Sequence, residues 1–170
     1  FLNAIIGRKL LPAKIRPTTA VLTYLKYGKD SKLSVQLADG KVQKLTADEL
    51  TSAITGKNWS GSSVQQVIVE EPIDLLNPST ELIDTPGVSD LCNVREDVTL
   101  KYLPNADAAL FLLDAKACFN ESERSFLQRE LLKSNIKRVF FVINKVDQLD
   151  PPFDAEQIKS LKQRVSSLLN

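Results

Sequence analysis

The 170-residue sequence contains no histidine and no methionine, and only two cysteines. With no imidazole, Ser-His-Asp hydrolysis and every mechanism that uses histidine as base or metal ligand are excluded within this segment. Cys92 and Cys118 cannot supply the four ligands of a structural zinc site, and they are expected to be reduced thiols rather than a bridge. Charge of either sign is not in excess: 22 Lys+Arg stand against 21 Asp+Glu, for a net charge of +1. Such a balance provides no strongly basic surface, so no nucleic-acid partner is expected. No apolar run reaches the ~18 residues that cross a bilayer, and the N-terminus lacks the pattern of a signal peptide, so a soluble segment is expected. A chain that opens on Phe1 and has no methionine is expected to be a piece of a longer polypeptide.

What is present suits a single domain: 43% of the residues are hydrophobic and 25% charged, at a length able to bury a sizeable core. Phe1, Leu2, Ile5, Ile6 and Leu10 recur at helical spacing until Pro12. Residues 20–27 read as a strand. Leu33 to Leu37 and Val42 to Leu45 read as a β-hairpin around Asp39-Gly40. Thr46 and Glu49 form a capping box ahead of a short helix that Gly56 can end. Strands are expected at Val64 to Glu71 and Thr80 to Ile83, and a helix at Val94 to Tyr102. Two continuous apolar runs, Ala108 to Leu113 and Val139 to Ile143, read as strands buried on both faces. Helices are expected at Ser122 to Lys133 and from Asp154 to Leu169, the latter capped by Asp154 and Gln157 with Phe153 stapled onto Ile158. Strand–helix alternation in the second half predicts an α/β fold with a mostly parallel sheet covered on both faces.

Ligands of such sheets bind at the carboxyl ends of the strands, and two strands here run into polar signatures. Leu82-Ile83 is followed by Asp84-Thr85-Pro86-Gly87. A carboxylate at a strand tip can hold Mg2+ through water, and a glycine three residues on lets a backbone N–H approach a γ-phosphate. The competing reading is a polar strand end followed by a Pro-Gly turn. Val142-Ile143 is followed by Asn144-Lys145-Val146-Asp147, a more specific pattern. A carboxylate in the plane of guanine accepts hydrogen bonds from the ring N1–H and the exocyclic amine, a donor pair that adenine lacks. Asp147 is thus assigned to reading guanine, Lys145 to laying its stem over the base, and Asn144 to tying the loop together. A solvated charged turn is the alternative.

The two signatures, in this order and 60 residues apart, resemble the P-loop GTPase class. Leu2-Asn3-Ala4-Ile5-Ile6-Gly7 with Leu11-Pro12 resembles the helix after the Walker A loop of the dynamin-related large GTPases, and Arg16-Pro17-Thr18-Thr19-Ala20-Val21 resembles their switch I. The bacterial dynamin-like proteins are the most similar, over nearly the whole chain. This resemblance implies a Ras-like G domain, a three-layer α/β sandwich truncated at both ends. Residues 1–170 would begin just after the Walker A loop and end before the last strand. It implies binding of GTP and GDP with Mg2+ and GTP hydrolysis by in-line water attack on the γ-phosphate. It implies Thr19 as the switch threonine that ligates Mg2+ and orients the water, with Thr18 the adjacent alternative. Asp84 would be the magnesium carboxylate and Gly87 the γ-phosphate sensor. The implied partners are a second G domain and, through regions outside this segment, a membrane, in a cytoplasmic protein peripheral to it. Two departures stand out: the glycine-rich phosphate loop is not in the segment, and Val88 follows Gly87 where Ras-like proteins place a water-orienting glutamine. Two other readings remain: a ribosome-associated or translation-type small GTPase, and a nucleotide-free module that keeps the fold without catalysis.

Overall fold

A computed structural model describes residues 1–11, 21–55, 63–76, 79–85, 102–117, 119–134 and 136–169. Of the helix expected at Val94 to Tyr102 only Tyr102 is among these residues, and Gly56 and both cysteines lie outside them. The chain divides into two compact units, Phe1–Thr99 and Leu100–Asn170.

The first unit contains α1 (Leu2–Ile6), β1 (Leu22–Tyr27), β2 (Lys32–Leu37), β3 (Val42–Lys44), α2 (Ala47–Ile54), β4 (Val64–Glu71) and β5 (Leu82–Asp84). Its sheet runs β3-β2-β4-β1-β5. Strands β1 and β4 are parallel, whereas β1/β5, β2/β3 and β2/β4 are antiparallel. The sheet is therefore mixed. The antiparallel share comes from the β1/β5 pair and from the β2–β3 hairpin, which also pairs antiparallel with β4 and turns through Asp39 and Gly40, the latter at a positive φ of 84°. Buried Leu25, Val35, Leu37, Leu50, Ile54, Val67, Val69 and Leu76 form the core of this unit, and Leu2, Ile6 and Leu10 pack against it. Helix α2 starts as expected: the Glu49 carboxylate accepts hydrogen bonds from the Thr46 backbone N–H at 2.8 Å and from its hydroxyl at 2.9 Å.

Helix α1 is shorter than its hydrophobic spacing suggests, because Gly7 adopts the left-handed conformation at φ 77° and stops it. The Asn3 side chain takes over beyond that point. Its Oδ1 accepts the N–H groups of Leu10 and Leu11 at 3.0 and 2.8 Å, and its Nδ2 donates to the Leu11 carbonyl at 2.7 Å. Leu10 thus reaches the core from a loop pinned by a side chain, not from a helix.

The second unit contains β6 (Ala109–Asp114), α3 (Glu121–Phe126), β7 (Val139–Asn144) and α4 (Ala155–Leu169). Strands β6 and β7 are parallel and in register from Ala109↔Val139 to Asp114↔Asn144. Helix α3 opens on an Asn120 cap that accepts the Glu123 N–H at 2.9 Å, and it widens into a π-helical turn over Leu127–Leu131. Phe111, Phe119, Phe126 and Phe141 cluster on one face, with ring centroids of contacting pairs 5.7 to 6.4 Å apart. The two strands were expected to be buried on both faces, and they are not. Phe111 and Leu113 are buried, but Leu110, Leu112 and Phe140 are 45%, 37% and 52% exposed. An apolar run records that both faces are oily; it does not record which of them is covered.

Helix α4 is capped by Asp154, whose carboxylate accepts the Gln157 N–H at 2.6 Å. The Gln157 side chain turns to the Asp150 carbonyl at 2.9 Å instead of closing a capping box. Phe153 does not fill the expected staple position. It sits at φ 57° and is 64% exposed, since its backbone N–H is drawn to the Val146 carbonyl at 3.1 Å.

Candidate functional site

In the first unit, antiparallel pairing of β5 with β1 sets Asp84 directly opposite Thr23 and Leu82 opposite Leu25. Opposed residues project to the same face of a sheet, so Asp84 stands at the strand tip on the face that carries the core residues Val21 and Leu25. The carboxyl is half-buried. Burial pushes its pKa up to about 6. Thr23 is completely buried and its hydroxyl has no hydrogen-bond partner among the described residues. A carboxyl held in this way carries its charge at a cost, which a hard cation nearby offsets.

In the second unit, the Asn-Lys-x-Asp signature follows β7 directly. Asn144 is the last residue of the strand, opposite Asp114 at the tip of β6, and its carbonyl accepts the Ala115 N–H at 3.0 Å. Lys145 turns the chain in the left-handed conformation (φ 59°, ψ 33°). Its ammonium donates to Asp114 Oδ2 at 2.8 Å. Asp114 is fixed from its other side, since its Oδ1 accepts the Lys116 N–H at 2.9 Å. The Lys145 contact, ahead of the Lys116 N–H, holds the Asp114 carboxyl below its ordinary value. Val146–Gln148 then make one 3-10 turn, closed by the Gln148 N–H on the Lys145 carbonyl at 3.0 Å. Asp147 is exposed on this turn.

The expected residues fall into three groups. Asn144, Lys145 and Asp147 come together in one loop at the carboxyl end of the parallel pair, which is where such sheets receive ligands. Asp84 lies at the tip of β5 in the first unit. Thr18, Thr19, Gly87 and Val88 lie outside the described residues. The sequence reading overlooked Asp114 and Thr23. A clue to Asp114 was available, because it closes the apolar run of β6 just as Asn144 closes that of β7. Thr23 gave no clue, because a threonine inside a β-branched stretch reads as ordinary strand.

An α/β scaffold with one strand that runs into Asp-x-x-Gly and, in a separate parallel pair, one that runs into Asn-Lys-x-Asp defines a domain of the P-loop GTPase class. The model of the Dynamin family matches residues 1–146, and the chain belongs to that family. It is 33% identical over 186 residues to the bacterial dynamin-like protein of Nostoc punctiforme, an alignment covering all of this chain and 27% of the relative. Among solved structures it is similar to a chain of an oligomerised bacterial dynamin pair described as a mechanism for long-range sensing and tethering of membranes. That likeness has a TM-score of 0.69 at 23% identity, over 96% of this chain and 25% of the other. It is also similar to Era in complex with MgGDPNP and a 16S ribosomal RNA segment, with a TM-score of 0.53 at 19% identity over 98% of this chain and 41% of the other. Both likenesses are of fold. The chain therefore spans about a quarter of the length of the Nostoc relative.

Proposed function

We propose that residues 1–170 form part of the GTPase domain of a dynamin-like protein that binds GTP and hydrolyses its β–γ bond by in-line attack of water. The observation that carries this reading is the loop Asn144–Asp147 at the carboxyl end of β7, with Lys145 held against β6 and Asp147 exposed. Asp147 would accept the guanine N1–H and exocyclic amine, Lys145 would cover the base plane with its stem, and Asn144 would hold the turn. The half-buried carboxyl of Asp84, opposite a hydroxyl without a partner among the described residues, fits a hard cation reached through water. When bound, Mg2+ would neutralise charge on the β- and γ-phosphates. Thr19, or Thr18 beside it, would add a hydroxyl ligand to Mg2+ and orient the water by its carbonyl, while Gly87 would present its N–H to the γ-phosphate.

Family membership supports the dynamin reading over a ribosome-associated GTPase, since the resemblance to Era is of fold. It also supports a second G domain as partner and a cytoplasmic protein that works on membranes through regions beyond this segment. Among the described residues no helix is long and apolar enough to cross a membrane. The test is nucleotide titration of the complete protein and its Asp147→Asn variant. The wild type should prefer GTP to ATP. The variant should lose guanine affinity by about 2 kcal/mol, the cost of one mismatched buried pair, and gain affinity for xanthosine triphosphate. Unchanged GTP affinity in the variant removes Asp147 from the site.

A further inference from the structure

Thr23 is 1% exposed and its hydroxyl has no hydrogen-bond partner among the described residues, an arrangement that folded proteins seldom leave in place without a use. Its neighbours on the same face, Val21 and Leu25 along β1 and Val67 across β4, are apolar. The group directly opposite on β5 is Asp84. Opposed residues of an antiparallel pair hold their Cβ atoms about 4.5 to 5.5 Å apart, within reach of a hydroxyl-to-carboxylate bond after a rotation about χ1. An apolar side chain of the same shape, valine, would avoid the unpaired hydroxyl altogether and suit a strand equally well.

We propose that Thr23 is a positioning residue for Asp84: its hydroxyl donates to the carboxylate when the nucleotide site is loaded, and fixes the rotamer in which Asp84 faces the cation. The proposal rests on the assignment of Asp84 to the magnesium site. It gives the buried hydroxyl a partner that the strand register already sets opposite it. One charge-assisted hydrogen bond then orders a carboxylate that the backbone alone leaves free to rotate.

The experiment uses the complete protein, its Thr23→Val and Thr23→Ser variants, and a fluorescent GDP analogue whose release is followed across a range of Mg2+ concentrations and in EDTA. The Mg2+ concentration for half-maximal slowing of release should rise about tenfold in Thr23→Val, and return close to the wild-type value in Thr23→Ser. Release in EDTA should be alike in all three, and the nucleotide-free Thr23→Val protein should melt no lower than the wild type. An unchanged Mg2+ midpoint in Thr23→Val, with normal Mg2+ dependence in the wild type, overturns the role of Thr23 alone. Equal acceleration with and without Mg2+ shows a merely structural residue and also overturns it. A wild type whose guanine-nucleotide binding ignores Mg2+ overturns the assignment of Asp84, and this proposal with it.

Discussion

Lys145 and Asp114 lie 31 positions apart in sequence, yet the parallel register of β6 and β7 brings the ammonium to 2.8 Å from the carboxylate. The lysine that the signature assigns to the base plane is thus anchored on the neighbouring strand. The ion pair is open to water, with the side chains 51% and 30% exposed, so its worth to folding is below about 1 kcal/mol. Its effect should appear in the ligand. Asp114→Ala should leave thermal stability nearly unchanged while weakening guanine-nucleotide binding several-fold, because Lys145 then has to be ordered on binding. Calorimetric titration of the complete protein measures both. An unaltered affinity would show that the pair does not pre-order the loop.

The same pair has a pH signature. Its folded-state pKa lies below the ordinary value of 3.8, so the stabilisation from Asp114 is present above that value and is lost as pH falls through the lower folded one. Asp84 behaves in the opposite way. Its carboxyl is raised from 3.8 to about 6, so the folded state binds the proton more tightly than the unfolded chain does. The associated stability is fully present below about pH 4 and disappears as pH rises through 6, a change of about 3 kcal/mol at most. Asp84→Asn should therefore stabilise the nucleotide-free protein at pH 7.5 and matter little at pH 4. Urea unfolding of both forms at the two pH values decides it; a variant that is equally shifted at both would rule out desolvation of Asp84 as the cause.

Local chemistry was legible in the sequence and side-chain substitution for backbone was not. Asp39-Gly40 and Thr46 with Glu49 act over two to four residues, and each forms the turn or cap that its spacing implies. Asn3 could not be read in this way. It satisfies backbone groups of Leu10 and Leu11 and so replaces the last turns of a helix whose hydrophobic spacing is intact. The Asn144–Asp147 loop could be found because its motif is contiguous. Asp114 and Thr23 acquire meaning only through strand register, which no single segment encodes.

Arg8, Ser31 and Glu71 join the end of α1 to the sheet: the nearly buried Glu71 carboxylate accepts from the Arg8 guanidinium and, at 2.8 Å, from the Ser31 hydroxyl. The two ends of the ion pair differ, since the Arg8 side chain is 52% exposed and that of Glu71 5%. Arg8→Met leaves a charge in a poorly hydrated place and should cost about 2 to 3 kcal/mol. Glu71→Gln leaves an arginine that water can reach and should cost clearly less. Chemical denaturation of the two variants gives the comparison; the reverse order would show that water reaches Glu71.

Hydrolysis needs a group to position water, and this segment is poor in candidates. It has no histidine to act as base, the Val88 side chain can neither donate nor accept a hydrogen bond where Ras-like proteins place glutamine, and Thr19 would orient water by its backbone. A single domain should therefore turn over slowly. A second G domain docking across the nucleotide would order switch I and add donors to the charge that develops on the leaving oxygens, a contribution worth roughly 10³ to 10⁵ in rate when an arginine supplies it in trans. Turnover per molecule of the complete protein should then rise steeply with its concentration, and Thr19→Ala should abolish the rise by removing the hydroxyl proposed to ligate Mg2+. GTP hydrolysis measured over three decades of protein concentration checks both expectations. Constant turnover per molecule in the wild type would exclude activation by pairing, whereas a normally active Thr19→Ala variant would move the switch role to Thr18.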